Sequence, residues 1–134
     1  MKRLFTAAIA ALGIHAAQAS EPPIQTEKPD HSNVTSNEAA LKLASEGKLF
    51  KILLFPEEFG GKDVPANVVY VPAGIPEIKE QITGTLIRFF NEGLIDKLNV
   101  EPEYKGNSFV PSKIHLKAGH SEKDGGFEPT IDIW

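Results

Sequence analysis

Apolar and polar positions along this chain follow two periods, one helical and one strand-like. The clearest helical pattern lies between Pro76 and Gly93, where apolar side chains recur every three or four residues. These side chains are Ile78, Ile82, Leu86, Phe89 and Phe90. Proline is favoured in the first turn of a helix and glycine just after the last turn, so the pattern predicts a long helix bounded by these two residues.

A second, shorter helix is predicted between Ser36 and Glu46. Thr35 can cap its N-terminus, and Glu38 stands three residues further on, as in a capping box. Gly47 occupies a position where helices commonly end. The apolar side of this segment is small, so we expect a short N-terminal helix that packs on the rest of the domain.

Two segments in the first half of the domain have the composition of β-strands, residues 48–55 and 67–71. Both carry apolar side chains on both strand faces, which is typical of strands that are covered on two sides. The loop between them, residues 56–66, is rich in glycine, proline and charged residues. We therefore expect two strands separated by a long exposed loop.

Three further strands are expected in the second half. Residues 98–104 form the first, and Pro102 favours a place at a sheet edge because proline lacks the backbone N–H. Residues 113–118 and 130–134 alternate apolar and polar positions. The polar segment between them, residues 119–126, predicts a long hairpin loop.

The resulting order, α-β-β-α-β-β-β, predicts a single small α+β domain over residues 36–134. In this domain a mixed or mainly antiparallel sheet of about five strands carries the long helix on one face. The short helix covers part of the opposite face. If the strands before and after the long helix are parallel neighbours, their crossover should be right-handed.

The first 19 residues have the pattern of a cleavable secretory signal peptide. Lys2 and Arg3 precede the apolar stretch 4–14, and Ala17-Gln18-Ala19 supplies the small residues that signal peptidase reads. The apolar stretch is shorter than the ~20 residues that span a bilayer. We therefore expect export, with the periplasm as the first expectation and full secretion as the alternative.

Composition narrows the classes of function. Residues 20–35 are polar and interrupted by prolines, which predicts a disordered tether. Loss of Lys2 and Arg3 with the signal peptide changes the formal net charge from −4 to −6, which disfavours binding to nucleic acids or anionic membranes. Because the chain has no cysteine, it has no disulfide or thiolate metal site, and we expect no lipid anchor of the bacterial lipoprotein type. No later segment predicts a transmembrane span.

Two segments partly match known catalytic or phosphate-binding motifs, but each lacks a residue that its motif requires. The segment Gly119-His120-Ser121 lacks the second glycine of a nucleophile elbow. The segment Gly60-Gly61-Lys62 lacks the hydroxyl residue that follows the lysine of a P-loop. These failures favour a protein that is not an enzyme, without deciding the question.

One loop carries side chains that ligate metals. His120, Glu122 and Asp124 alternate along it, and nitrogen and carboxylate ligands of this kind could hold zinc or a similar divalent ion. His115 is five residues from His120, so an unbent strand would point these two rings in opposite directions. The simpler interpretation is a solvated hairpin loop, and no other cofactor is predicted.

Two aromatic residues favour binding instead. Phe59 lies in the long loop after the first strand, where an aromatic ring could anchor a partner. Trp134, the only tryptophan, ends an outward-facing row that includes His115, and tryptophan is enriched at binding hot spots. Alternatively, Phe59 folds onto the core and Trp134 packs over the sheet edge or the first helix.

The sequence does not identify a reaction, a ligand or an oligomeric state. Its leading functional hypothesis is a non-catalytic binding or protein-interaction module of the bacterial cell envelope. Its partner would be a protein or a small molecule, contacted by Phe59, His115 and Trp134. The alternatives are a small metal-dependent or hydrolytic enzyme that uses the His120 loop, and a dimeric structural protein.

Overall fold

The computed structural model describes residues 29–134, so the predicted signal peptide and residues 20–28 of the predicted tether lie outside the described residues. In chain order the elements are α1 (Asn37–Ser45), β1 (Phe50–Leu53), β2 (Val68–Val71), α2 (Ile75–Asn91), β3 (Lys97–Tyr104), β4 (Pro111–His120), β5 (Lys123–Phe127) and β6 (Thr130–Asp132). The predicted α+β fold is confirmed. None of the described helices is both long and apolar enough to cross a membrane.

The strands form two antiparallel sheets instead of one. β1 and β2 form a two-stranded sheet, whose register places Lys51 opposite Tyr70. In the four-stranded sheet, β4 is central and pairs with β3 on one edge and with β5 and β6 on the other. The connection from β2 through α2 to β3 therefore joins two sheets and is not a parallel crossover.

The segment predicted as a long hairpin loop is itself mostly strand. β4 continues to His120, which pairs with Lys123 across a two-residue turn. β5 then approaches β4 so closely that a Cβ at Gly126 would lie 2.7 Å from the Ala118 carbonyl oxygen. This close approach requires glycine. The prediction was wrong here because glycine-rich β5 has no apolar alternation to reveal it.

The main core lies where α2 meets the sheets. Its buried members are Leu54, Val69, Val71, Ile75, Leu86, Ile95, Ile114, Leu116, Ala118, Ile131 and Ile133. The inward positions predicted for β4 and for the last strand are all in this cluster. Burial of these side chains against one another is the main source of stability for the fold.

The buried face of α2 differs from the predicted one. Ile78 and Phe90 are 42% and 52% exposed, whereas Lys79 and Thr83 are buried. The Lys79 ammonium donates to the Leu53 carbonyl at 2.9 Å, and the Thr83 hydroxyl donates to a carbonyl of the preceding turn. Because these polar groups are hydrogen-bonded, their burial is tolerated.

A smaller core joins α1 to the start of β4. It consists of Val34, Ala40, Leu49 and Val110. Val34 belongs to the predicted tether, yet it is buried here, and its carbonyl accepts the Phe109 N–H at 2.7 Å. The next residues lead into α1, whose N-cap is Ser36 and not Thr35.

Candidate functional site

A groove of about 980 Å³ opens between α1, β2 and the loop that joins β3 to β4. Its walls include Leu41 of α1, Tyr104 at the end of β3 and Phe109 at the end of the loop. These three side chains are 44%, 45% and 47% exposed. Clustered, solvent-exposed apolar side chains in a concave surface are typical of a ligand-binding or partner-binding site.

The Phe109 ring is exposed although the backbone around it is firmly held. Its neighbours Ser108 and Val110 are buried. The Ser108 hydroxyl accepts the Val110 N–H at 3.0 Å and contacts the His31 carbonyl at 2.7 Å, while the Phe109 N–H donates to Val34. Phe109 is therefore fixed with its ring outward, which lowers the entropic cost of using it in binding.

Leu41 owes its exposure to helical geometry. Ala40 is buried in the smaller core at 1% exposure. The next residue of an α-helix lies about 100° further round the axis, which turns Leu41 away from that core and into the groove. The same helix thus packs on the smaller core and also forms a wall of the groove.

The charged groups of the groove neutralise each other. Among the described residues that line it, Lys51 and Asp63 carry the charges, and their side chains meet at 2.6 Å. The hydrogen bond that Lys51 donates to the Asp63 carboxylate raises the pKa of Lys51. Burial raises the pKa of Tyr104, so its phenol stays neutral at physiological pH. The groove therefore combines aromatic and aliphatic side chains with polar ones, among them Asn37 and Asn107, and it has no uncompensated charge.

Phe59, proposed as a loop-tip anchor, lies outside this groove. Its ring packs edge-to-face on Phe90 of α2, with centroids 6.0 Å apart, and contacts the main core. Gly60 adopts a φ of 98°, and the Gly61 N–H donates to the Pro56 carbonyl, which closes the loop into a tight turn. The ring is therefore folded back onto the domain.

Trp134 is also occupied within the domain. Its indole N–H donates to the Val110 carbonyl at 3.0 Å. The ring meets His31 edge-to-face at 5.7 Å, and the Lys105 ammonium lies 4.8 Å from its centroid. These contacts join the segment before α1 to the residues that precede β4, so the ring of Trp134 is used within the fold.

His115 lies on the open face of the four-stranded sheet, as predicted, and bridges three strands. Its Nε2 is 2.8 Å from a Glu103 carboxylate oxygen of β3, and its Nδ1 is 3.1 Å from the Thr130 hydroxyl of β6. A hydroxyl, an imidazole and a carboxylate in this order resemble a hydrolytic triad. Here, however, the His115 and Glu103 side chains are 45% and 52% exposed on a strand face. The arrangement links strands and does not belong to the groove.

The predicted metal ligands are not assembled. The His120 Nδ1 accepts the Glu122 N–H at 3.0 Å, and its Nε2 lies 3.7 Å from a carboxylate oxygen of Asp96. Asp96 already accepts the N–H and hydroxyl of Ser121, which lowers its pKa. Asp124 lies on β5 and not in the turn. Within residues 29–134, no group of three or more His, Asp or Glu side chains could hold a metal ion.

Compared with protein-family models, with curated proteins and with solved structures, the chain shows no match to any of them. The interpretation of the groove therefore depends on its own geometry. Sequence reasoning missed the groove because Leu41, Tyr70, Tyr104 and Phe109 come from four separate segments. The one local signal was the pair of aromatic residues that flanks the turn at Gly106.

Proposed function

We propose that this protein is an exported, non-catalytic binding module and that the groove between α1, β2 and the β3–β4 loop is its binding site. The observation that carries this proposal is the exposure of Leu41, Tyr104 and Phe109 on the walls of one concave surface. The volume of the groove, about 980 Å³, is at the upper end of the usual range for ligand sites, roughly 300–1,000 Å³. Export rests on the pattern of the first 19 residues.

The chemistry of the groove indicates what kind of partner it accepts. Its charges are already paired, so a strongly charged ligand would gain little there. Aromatic and aliphatic walls favour a partner that buries apolar groups. We therefore assign partner contacts to Leu41, Tyr104 and Phe109. Phe59, His115 and Trp134 serve within the domain, because each already contacts other residues of the fold.

The test is to locate binding on the surface residue by residue. Isotope-labelled protein is mixed with fractions of a cell-envelope extract, and backbone amide shifts are followed by NMR. We expect shifts centred on Leu41, Tyr70 and Phe109. Shifts centred on Phe59 or on His115, with an unperturbed groove, would contradict the proposal.

A matched pair of variants separates binding in the groove from non-specific apolar adsorption to the rest of the surface. Leu41→Ala removes an exposed leucine of α1 inside the groove. Ile78→Ala removes an equally exposed isoleucine of α2 that does not line it. Binding should weaken in the first variant and be unchanged in the second. Equal weakening in both would indicate non-specific apolar adsorption.

A further inference from the structure

We propose that the groove receives an extended peptide segment of a partner protein, which adds as a third strand to the free edge of β2. This inference rests on the proposed binding function of the groove and names the class of its partner. It is carried by the backbone of β2, by the three consecutive β2 residues that line the groove and by the distribution of charge.

The direction of each backbone group in β2 follows from the register. The Leu54 N–H donates to the Asn67 carbonyl at 2.9 Å, which marks this pair as hydrogen-bonded. Hydrogen-bonded and non-hydrogen-bonded pairs alternate in an antiparallel ladder. Val69 and Val71 therefore point their backbone groups towards β1, whereas Val68 and Tyr70 point theirs away from it.

The outward-pointing groups are largely unpaired. The Val68 N–H donates to the Pro65 carbonyl in the turn before the strand. Across the described part of the chain, no hydrogen-bond partner is seen for the Val68 carbonyl or for the N–H and carbonyl of Tyr70. These three groups form a short template for main-chain pairing, which is how an added strand is recognised.

This free edge of β2 opens into the groove. Val68, Val69 and Tyr70 all line it. Successive side chains of a strand point to opposite faces, and the Val69 side chain is buried in the main core. The presence of all three residues in the lining therefore indicates that the groove reaches the backbone of β2. An occupant of the groove therefore lies beside unpaired backbone groups.

The side chains around the edge define the segment that would fit. Alternate side chains of an added strand are about 7 Å apart and would meet the aromatic and aliphatic walls at Tyr104, Phe109 and Leu41. The Lys51–Asp63 ion pair is neutral overall, so a charged segment would gain no net electrostatic attraction from it. We therefore expect a short, extended and uncharged segment with apolar residues at every second position. Walls on both sides of the edge admit a single chain more readily than the sheet of a second copy.

The probe is a synthetic peptide of about ten residues, chosen from a displayed random library by its binding to the full protein. In a matched series, each peptide bond in turn is N-methylated, which removes one N–H and leaves every side chain in place. We expect affinity to fall about tenfold at the two positions, two residues apart, whose N–H groups donate to the Val68 and Tyr70 carbonyls, and to change little at the position between them. A loss without alternation overturns strand addition.

Hydrogen exchange of the protein gives a second readout with an internal control. The Tyr70 N–H should exchange at least about tenfold more slowly when the peptide is bound. The Val69 N–H already pairs with β1 and should change much less. Peptide binding that shifts groove amides without slowing Tyr70 overturns strand addition but leaves the binding function of the groove intact.

Variants at one position complete the test. Tyr70→Pro removes the outward N–H without breaking the β1 ladder, and Tyr70→Ala removes the same ring but keeps the N–H. Both variants lose the ring, so the comparison isolates the N–H: the proline variant should bind the peptide at least about tenfold more weakly than the alanine variant. Equal loss in both overturns the inference. Slow Tyr70 exchange in the free protein, together with a dimer in sedimentation, would assign the edge to a second copy instead. A library with no groove-binding peptide and no groove shifts in envelope extracts would overturn both proposals.

Discussion

The two cores of this domain use apolar side chains in different ways. At the main core, the aromatic rings pack inside the domain: Phe89 of α2 meets Phe127 edge-to-face at 5.4 Å, and both pack against the buried cluster. The smaller core is built from Val34, Ala40, Leu49 and Val110, and the aromatic rings beside it at the groove face solvent. The main core therefore maintains the fold, whereas the smaller core holds the proposed binding surface in place. The predictions below separate these roles, in order of decreasing effect.

Truncation in the main core should have the largest effect on stability. Leu86 is fully buried there, and Leu86→Ala should lower the free energy of unfolding by about 2–5 kcal/mol. Chemical denaturation measures this change. Leu41→Ala, at the exposed groove, should cost no more than about 0.5 kcal/mol. Similar losses in the two variants would show that the groove belongs to the folding core.

The buried Lys79 should make stability depend on pH. Burial lowers the pKa of Lys79 to about 8, and Glu58 partly opposes that shift. The pKa is higher in the unfolded chain, which therefore binds more protons between pH 8 and about 10.5. The free energy of unfolding should thus rise with pH, by on the order of 2 kcal/mol between pH 7 and 9.5.

Denaturation at several pH values tests this, with Lys79→Met as the control. Methionine keeps an apolar stem of similar length but has no ammonium group to titrate. The rise should vanish in this variant. A rise that persists would have to come from a group other than Lys79. The titration stops at pH 9.5 because Tyr104, whose pKa is raised by burial, reduces stability once the phenol of the unfolded chain ionises.

Trp134→Phe should have an intermediate effect, centred on the smaller core. The substitution removes the indole N–H that donates to Val110 and disturbs the contact with His31. We expect a loss of about 1–2 kcal/mol, since a buried carbonyl loses its donor. Hydrogen exchange should accelerate at Phe109 more than at Leu116 of the main core. Uniform acceleration would mean that the two cores unfold as one unit.

Phe109→Ala should have the smallest effect on stability and a large effect on binding. The ring is 47% exposed, so its loss should change the free energy of unfolding by less than about 0.5 kcal/mol. Binding of the selected peptide should weaken by at least about tenfold. Isothermal titration and denaturation of the same sample compare the two effects. A large stability loss with unchanged binding would reverse the assignment of this residue.

The elements that the sequence predicted are those whose position depends on the local alternation of apolar and polar residues. The long helix and the inward row Ile114, Leu116 and Ala118 are present as expected. Which face of α2 is buried was not predictable, because burial of Lys79 depends on the hydrogen bond that its ammonium donates to the distant Leu53 carbonyl. The division into two sheets depends on non-local pairing, and β5 is held by β4 and not by its own sequence.

The residues of the candidate site were harder to predict from the sequence than the fold. Phe59 and Trp134 were singled out as unusual aromatic residues, but each has ring partners in the domain. Phe109 was not predicted as a site residue, because the flanking sequence does not show that Ser108 and Val110 are buried while the Phe109 ring is exposed. Exposure of this kind is a property of the packed chain and has no local signature.

Because of the hydrogen bond between Val34 and Phe109, the response of the domain to a pulling force should depend on where the force is applied. A pulling force applied to the chain upstream of His31 would first load the contacts of residues 31–34 with the β3–β4 loop. The ladder between β3 and β4 would carry the load only after those contacts had broken. Tension on the N-terminal side would thus displace one wall of the groove while the main core stayed folded, and a partner held there would be released under load before the domain unravels.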